Sequence, residues 1–258
     1  MLGAIIGDIA GSRFEWNNQK TKNFELLNME CKFTDDTVMS IAICDALMNS
    51  KRDMSDLGAN AVKSMQAFGK KYPNAGYGGS FRKWIIAKNP QPYNSWGNGS
   101  AMRVSAVGWF FDTLEETERV AKISAEITHN HPEGIKGAQA TAAAIWMARN
   151  GKSKAEIKEY IETKYEYDLD RTWEYLNQRY GWKSSCQETV PEAIIAFLES
   201  NSYEDAIRKA VSIGGDSDTL ACITGGIAEA YYKEIPAYMI DETQKVFPPI
   251  FHKILETM

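Results

Sequence analysis

Residues 216–232 have the sequence DSDTLACITGGIAEAYY, an acidic cluster followed directly by an apolar stretch with helical spacing. Residues 34–48, TDDTVMSIAICDALM, repeat this arrangement near the other end of the chain. In both stretches two carboxylates and flanking hydroxyls stand where a hydrophobic helix is expected to begin. Helix starts can converge in a bundle, so the two acidic clusters are candidates for one shared site.

Helical periodicity dominates the rest of the chain, and neither alternating strand patterns nor a βαβ rhythm is found in the sequence. We therefore expect an all-α fold, a compact multi-helix bundle packed around one core. No internal repeat or linker divides the chain, which predicts a single domain of residues 1–258. The segments with amphipathic or alanine-rich helical patterns are 38–48, 117–127, 138–148, 188–198, 203–211, 220–232 and 242–255.

Two further segments bear on the fold. Gly3, Gly7 and Gly11 recur every four residues, which places them on one face of a helix and allows a neighbouring helix to approach closely. Residues 72–99 form the least helical stretch, rich in glycine, proline and aromatic residues. A long loop in a compact domain is more often functional than not.

Composition excludes several classes of protein. The 258 residues carry a formal net charge of −5, which argues against a general nucleic-acid-binding or anionic-membrane surface. The four cysteines are scattered without a CxxC pair, so we expect neither a disulfide framework nor a cysteine zinc site. The N-terminal residues lack a signal-peptide pattern, and no apolar run is long enough for a membrane span. A cytoplasmic protein is expected.

Each acidic cluster taken alone fits a helix N-cap with acids in the first turn, where the helix dipole favours them. Two converging clusters are harder to explain by capping. Four carboxylates brought together without cations would cost several kcal/mol in repulsion and desolvation. Hard oxygen ligands at this density suit a divalent cation such as Mg²⁺.

Two other Asp-x-Asp motifs fail on specific residues. An EF-hand loop from Asp216 needs glycine at its sixth and glutamate at its twelfth position, where this chain has Ala221 and Ile227. A phosphoaspartyl hydrolase of the haloacid-dehalogenase type needs a hydrophobic strand before Asp216 and threonine or valine at position 220. Glycines 214 and 215 precede Asp216 here, and Leu220 follows.

Three shorter motifs lie between the clusters or before them. GDIAGSRFE (7–15) contains Asp8 and Glu15, each of which, taken singly, is expected to be a surface or capping acid. SWGNGSAMR (95–103) is a glycine-rich loop running into a helix, suited to holding phosphate through backbone N–H groups, although it is not a P-loop. THNHP (128–132) lacks the additional ligands of a zinc site, so His129 is expected to be a structural or pocket residue.

Taken together and in this order, five motifs resemble those of the ADP-ribosylglycohydrolase family, which includes the dinitrogenase-reductase-activating glycohydrolases. The resemblance implies an all-α fold with a binuclear Mg²⁺ or Mn²⁺ centre at the bottom of a cleft. The motifs that carry it are GDIAGSRFE (7–15), FTDDT (33–37), GNGSAMR (97–103), THNHP (128–132) and GGDSDT (214–219).

The resemblance also implies roles for individual residues. Glu15 corresponds to the family's glutamate on a mobile loop at the site, and Glu15 and Asp35 are the candidates for general acid and base. Asp36 or Asp218 would bridge the metals, and Tyr77, Tyr93 or Trp96 would either stack on adenine or fill a hydrophobic role. The implied metal ligands are Thr34, Asp35, Asp36, Asp216, Asp218 and Thr219. The implied substrate-binding residues are Asn98, Gly99, Ser100, Met102, Arg103 and His129.

The implied activity is hydrolysis of the glycosidic bond between ADP-ribose and an acceptor. The acceptor would be a modified protein side chain or a small ADP-ribosyl conjugate, and a monomer is favoured. Two alternatives stay open: a non-catalytic ADP-ribose-binding or structural protein on the same fold, and a metal-dependent phosphohydrolase acting on a nucleotide diphosphate. Product analysis separates glycohydrolysis, which releases intact ADP-ribose, from pyrophosphate cleavage, which yields AMP.

Overall fold

A computed structural model describes residues 1–257, and within that range the chain forms fifteen α-helices and no β-sheet. The predicted all-α fold is therefore confirmed. The helices are α1 (Leu2–Gly11), α2 (Asp35–Met48), α3 (Leu57–Lys71), α4 (Gly79–Ile86), α5 (Gly99–Met102), α6 (Ser105–Phe110), α7 (Leu114–Glu126), α8 (Pro132–Arg149), α9 (Lys154–Tyr165), α10 (Trp173–Arg179), α11 (Cys186–Leu198), α12 (Tyr203–Ile213), α13 (Ser217–Tyr232), α14 (Ala237–Gln244) and α15 (Pro249–Thr257).

Helices α1 and α13 make the most extensive helix–helix contact in the described chain. Their backbones touch because α1 has glycine at each crossing point. A Cβ atom at Gly3 would lie 2.6 Å from the Gly225 carbonyl oxygen, and one at Gly7 would overlap the Ala221 carbonyl. The close approach inferred from the glycine spacing is thus present in the structure, and it sets the start of α13 beside Gly11, at the C-terminal end of α1.

The buried apolar residues form two clusters, and α1 contributes to both. Ile6 and Ala10 belong to the cluster built mainly by α8 and α11–α13, whereas Ile5 and Ile9 belong to the cluster built mainly by α2, α3 and α7. Every residue of α1 from Gly3 onward is buried. A helix surrounded on all sides must be apolar throughout, so a charged residue within it needs a specific compensation.

Six of the seven predicted helical segments fall within or largely overlap single helices of the structure, but the prediction for residues 242–255 is wrong. That segment is divided between α14 and α15, which are separated by residues 245–248. Pro248 and Pro249 explain the break, because proline has no N–H to donate and disfavours helix in the residue before it.

The loop predicted for residues 72–99 also contains a helix, α4, that the sequence did not suggest. This helix buries Phe81, Trp84 and Ile85 against the second apolar cluster. The helical pattern of α4 is short and lies between glycines and prolines, which are typical of loops, so the sequence favoured a loop there. None of the described helices combines the length and the apolar character that a membrane crossing requires.

We expect Gly7→Ala to destabilise the protein by about 3 kcal/mol, because the added methyl group would force α1 away from the α13 backbone. The midpoint of chemical denaturation, monitored by circular dichroism, measures this effect.

Gly58→Ala in α3 is the matched control. A Cβ atom at Gly58 would meet nothing closer than 4.0 Å, so the substitution should leave stability unchanged or raise it by up to ~1 kcal/mol. Equal stability of the two variants would contradict a tight α1–α13 crossing.

Candidate functional site

The N-termini of α2 and α13 open side by side onto a cleft of about 790 Å³. The structure brings together all six of the predicted metal ligands and Glu15 at this cleft. The acidic and hydroxyl side chains that line it are Glu15, Thr34, Asp35, Asp36, Asp216, Asp218 and Thr219.

Asp36 connects the two acidic clusters. Its Oδ2 accepts a hydrogen bond from the Thr219 hydroxyl across 3.3 Å, although the two residues are 183 positions apart. Its own backbone N–H donates to Thr34 Oγ1, which caps helix α2 at 3.3 Å. The capping interpretation of the first cluster is therefore correct as far as Thr34 is concerned, while the carboxylate of Asp36 faces the second cluster.

The carboxylates converge in two groups. One oxygen each of Asp8, Asp36 and Asp218 lie within 4.8 Å of one another, and so do oxygens of Glu15, Asp216 and Asp218. Asp218 belongs to both groups, which fits a bridging position.

Asp8 was missed as a site residue, because a single acid suggested a surface or capping position. It is instead fully buried. The signal was present in the sequence, since Asp8 is the only charged residue in the apolar helix LGAIIGDIAG.

Burial and mutual repulsion raise the pKa values of these carboxyl groups. Burial first, and then the neighbouring carboxylates, hold the pKa of Asp36 and of Asp218 well above the usual range. The same causes raise the pKa of Asp35 to about 8 and that of Glu15 to about 7. Within residues 1–257, no lysine or arginine forms an ion pair with any of these groups. Their charge must be balanced by protons or by bound cations.

The atoms at the base of the cleft fit a divalent cation. Asp36 Oδ1 is buried and has no hydrogen-bond partner, which is costly for a carboxylate oxygen unless a cation occupies the space beside it. The neighbouring donor atoms are carboxylate and hydroxyl oxygens, the ligands preferred by Mg²⁺ and Mn²⁺.

The glycine-rich loop forms the wall next to the second cluster. The Asn98 side chain donates a 2.7 Å hydrogen bond to Asp216 Oδ2. The backbone N–H of Asn98 donates to the Ser184 carbonyl at 2.8 Å, and that of Gly97 to Ser95 Oγ at 3.1 Å. These two N–H groups are therefore occupied and do not contribute to a phosphate cradle.

Of the other predicted substrate-binding residues, Gly99, Met102, Arg103 and His129 line the cleft. Ser100 does not, because it is fully buried and its hydroxyl donates to the Gly134 carbonyl at 2.7 Å.

Arg103 is also buried, and its guanidinium forms hydrogen bonds with other groups of the protein. It donates to the Gly99 carbonyl at 2.9 Å, to the Ser124 carbonyl at 2.8 Å and to Thr128 Oγ1 at 2.9 Å. Thr128 Oγ1, which accepts from Arg103, also lies 2.7 Å from His129 Nδ1 and has its hydroxyl proton available for that nitrogen. Burial, and then the Arg103 charge, hold the pKa of His129 well below its ordinary value, which favours a neutral imidazole, and its Nε2 lies beside Gly99.

The segment that carries Glu15 is attached to the second acidic cluster. Asn18 Oδ1 accepts from the Gly215 backbone N–H, and Lys20 donates to the carbonyls of Tyr180, at 3.0 Å, and Ile213. Gly215 has a φ of 75°, a conformation that favours glycine. These contacts hold Glu15 next to Asp216.

Aromatic side chains surround the cleft mouth. Tyr93 packs against His129 with ring centroids 5.8 Å apart, and Trp96 is 53% exposed. Trp16 and Trp182, which the sequence analysis did not single out, stack with centroids 5.6 Å apart. Tyr77 does not line the cleft, because it is buried against Phe81 in the second apolar cluster. The hydrophobic alternative for Tyr77 is therefore the one that the structure supports.

The protein is an all-α protein with buried carboxylates at the base of a cleft. Comparisons with known proteins identify its family. The sequence model of the ADP-ribosylglycohydrolase family matches residues 1–257, so the chain belongs to this family. The protein is accordingly a glycohydrolase, as the motif resemblance implied.

Similar proteins with 26–27% sequence identity agree with this assignment. The ADP-ribosylhydrolase ARH3 of Homo sapiens is 26% identical over 90% of this chain and 84% of its own length, and that of Bos taurus is 27% identical over 90% and 83%. A solved structure described as an ADP-ribosylglycohydrolase-related protein complex superposes with a TM-score of 0.75 at 19% identity. It covers 100% of this chain and 96% of its own, and supports the fold.

We expect His129 to stay neutral at its ordinary pKa of 6.5, because burial first, and the Arg103 charge second, place its folded-state pKa well below that value. Nitrogen-15 NMR of the imidazole should show a protonated Nε2 and an unprotonated Nδ1 at pH 6.5. A doubly protonated ring at that pH, or a proton on Nδ1, would contradict the hydrogen-bond relay from Arg103.

Proposed function

We propose that the protein hydrolyses the glycosidic bond between ADP-ribose and an acceptor, and that it depends on two divalent cations, Mg²⁺ or Mn²⁺. The observation that carries the proposal is the meeting of two acidic clusters, distant in sequence, around the unpartnered Oδ1 of Asp36. Thr34, Asp35, Asp36, Asp216, Asp218 and Thr219 are the proposed ligands.

The proposed chemistry follows from the groups that face the cleft. When bound, the cations supply Lewis acidity for the ribose hydroxyls and for water. Hydrolysis passes through a transition state with positive charge on the sugar ring, so carboxylates beside C1 stabilise it electrostatically. The ligand side chains also fix the orientation of the ribose relative to Glu15 and Asp35.

Glu15 and Asp35 are the proposed acid/base pair. Glu15 is half-buried on the segment anchored by Asn18 and Lys20, so its carboxyl is both accessible and held in place. Asp35 belongs to the other acidic cluster, at the start of α2. Its backbone N–H donates to the Ala75 carbonyl at 2.7 Å, which holds Asp35 in place. One carboxyl would protonate the leaving group while the other takes a proton from water.

We propose that the rest of the ADP-ribose lies along the wall formed by Asn98, Gly99, Met102 and His129. The His129 Nε2–H is a neutral donor suited to a phosphate or ribose oxygen. Arg103 supports this wall from behind, because its guanidinium is directed to Gly99, Ser124 and Thr128. Tyr93 and Trp96 are the candidates for stacking on adenine.

The substrate is proposed to be an ADP-ribosylated protein or a small ADP-ribosyl conjugate, and the acting unit a monomer made of one domain, residues 1–258. Helix α1 supports a single unit, since it contributes side chains to both apolar clusters. The four cysteines are all buried free thiols, which suits the reducing cytoplasm proposed as the location. The net charge of −5 supports a role without general nucleic-acid binding.

A panel of ADP-ribosylated proteins and small conjugates, assayed with Mg²⁺ and with Mn²⁺, tests the proposal. We expect release of intact ADP-ribose, loss of turnover in excess EDTA, and recovery when either cation is added back. Chromatography of the products distinguishes ADP-ribose from AMP.

Asp218→Asn should lower turnover at least ~100-fold, because it removes a carboxylate common to both acidic groups. Asp241→Asn, on the exposed side of α14, is the control and should match the wild type. AMP as the product would support the phosphohydrolase instead, and binding of ADP-ribose without turnover on any substrate would support the non-catalytic alternative. Full activity in EDTA would contradict the binuclear mechanism.

A further inference from the structure

Asp8 differs from the other carboxylates of the site in where it comes from. It lies on α1, whereas the proposed ligands lie at the starts of α2 and α13. Its side chain is fully buried and reaches the first turn of α2, 26 residues further along the chain. One of its oxygens is also within 4.8 Å of oxygens of Asp36 and Asp218, so proximity alone would make it a third ligand.

The hydrogen bonds of Asp8 indicate a different role. Oδ1 accepts from the Thr34 hydroxyl at 2.6 Å. Oδ2 accepts from the Thr34 N–H at 2.9 Å, from the Thr37 N–H at 3.1 Å and from the Thr37 hydroxyl. Three of these donors go to Oδ2 and one to Oδ1, so both oxygens of Asp8 have partners among Thr34 and Thr37. Asp36, by contrast, has one buried oxygen without any partner.

Asp8 also determines how Thr34 can bind a cation. The single hydroxyl proton of Thr34 can go to Asp8 Oδ1 at 2.6 Å or to Asp36 Oδ2 at 3.5 Å, and the shorter contact takes it. One lone pair of Thr34 Oγ1 accepts from the Asp36 N–H. The second lone pair remains for a cation. By holding the proton away from the cleft, Asp8 leaves that lone pair of the threonine oxygen open towards the cleft.

We propose that Asp8 is a positioning residue of the metal centre and not one of its ligands. It caps α2 from a neighbouring helix, fixes the turn from Thr34 to Thr37, and orients Thr34 Oγ1 and the Asp36 carboxylate towards the cation. Partners that orient ligands in this way change metal affinity by about 10–100-fold when they are removed. The inference rests on the proposed metal centre.

Mn²⁺ binding, measured by isothermal titration calorimetry without substrate, tests this role. Asp8→Asn replaces acceptor positions with N–H groups that would face the Thr34 and Thr37 donors. We expect the number of bound Mn²⁺ ions per chain to stay as in the wild type while the dissociation constant rises about 10–100-fold. Asp36→Asn removes a proposed ligand and should lower the number of ions bound.

Thr37→Val and Thr37→Ser form a matched pair that leaves Asp8 in place. Valine removes the hydroxyl donor to Asp8 Oδ2, whereas serine keeps it. We expect weaker Mn²⁺ binding for Thr37→Val and affinity close to the wild type for Thr37→Ser. The pair also provides the test if Asp8→Asn fails to fold, which circular dichroism of the metal-free proteins will show.

These measurements distinguish a failure of the proposed metal centre from a failure of the proposed role of Asp8. A wild type that binds no Mn²⁺ would overturn both the metal centre and the role of Asp8. A wild type that binds Mn²⁺, together with unchanged affinity in Asp8→Asn and Thr37→Val, would overturn the positioning role alone. Loss of one bound ion in Asp8→Asn, with the fold intact, would make Asp8 a ligand and equally contradict the proposal.

Discussion

The backbone contact between α1 and α13 is the constraint on which the site depends. Gly3 and Gly7 let the helices touch at Gly225 and Ala221, and this contact places the start of α13 beside the C-terminal end of α1. Asp8 and Asp218 thereby come within 4.8 Å of each other. A wider crossing would separate the two acidic clusters and leave each as an ordinary helix cap.

Once the helices are in place, the number of hydrogen-bond donors around each carboxylate distinguishes Asp8 from Asp36. Asp8 receives four donors from Thr34 and Thr37, so neither of its oxygens is without a partner. Asp36 receives the Thr219 hydroxyl on one oxygen and nothing on the other. The helix starts provide positive backbone ends, but too few donors for all the acids in the cleft. Because hydrogen-bond donors are too few for these carboxylates, the site is suited to divalent cations.

Much of the fold and of the candidate site could be predicted from the sequence, because the patterns that indicate them are local. The acids and threonines at the starts of α2 and α13, and the glycine spacing of α1, are short-range patterns. A lone charge in an apolar helix marked Asp8, but its partners, and those of Arg103, could not be predicted, since they lie 25 to 29 residues away and depend on helix packing. Helix α9 was not singled out although its Ser153–Glu156 capping box is visible in the sequence.

We propose that the unpartnered oxygen of Asp36 marks a cation site shared by the two acidic clusters. Anomalous diffraction from crystals grown with Mn²⁺ tests it most directly. We expect two peaks in the cleft, one of them within coordination distance of Asp36 Oδ1 and Thr34 Oγ1, and we expect Asp8 to lie outside the coordination shell. Ordered crystals without a peak at Asp36, or with the ions bound elsewhere, would contradict it.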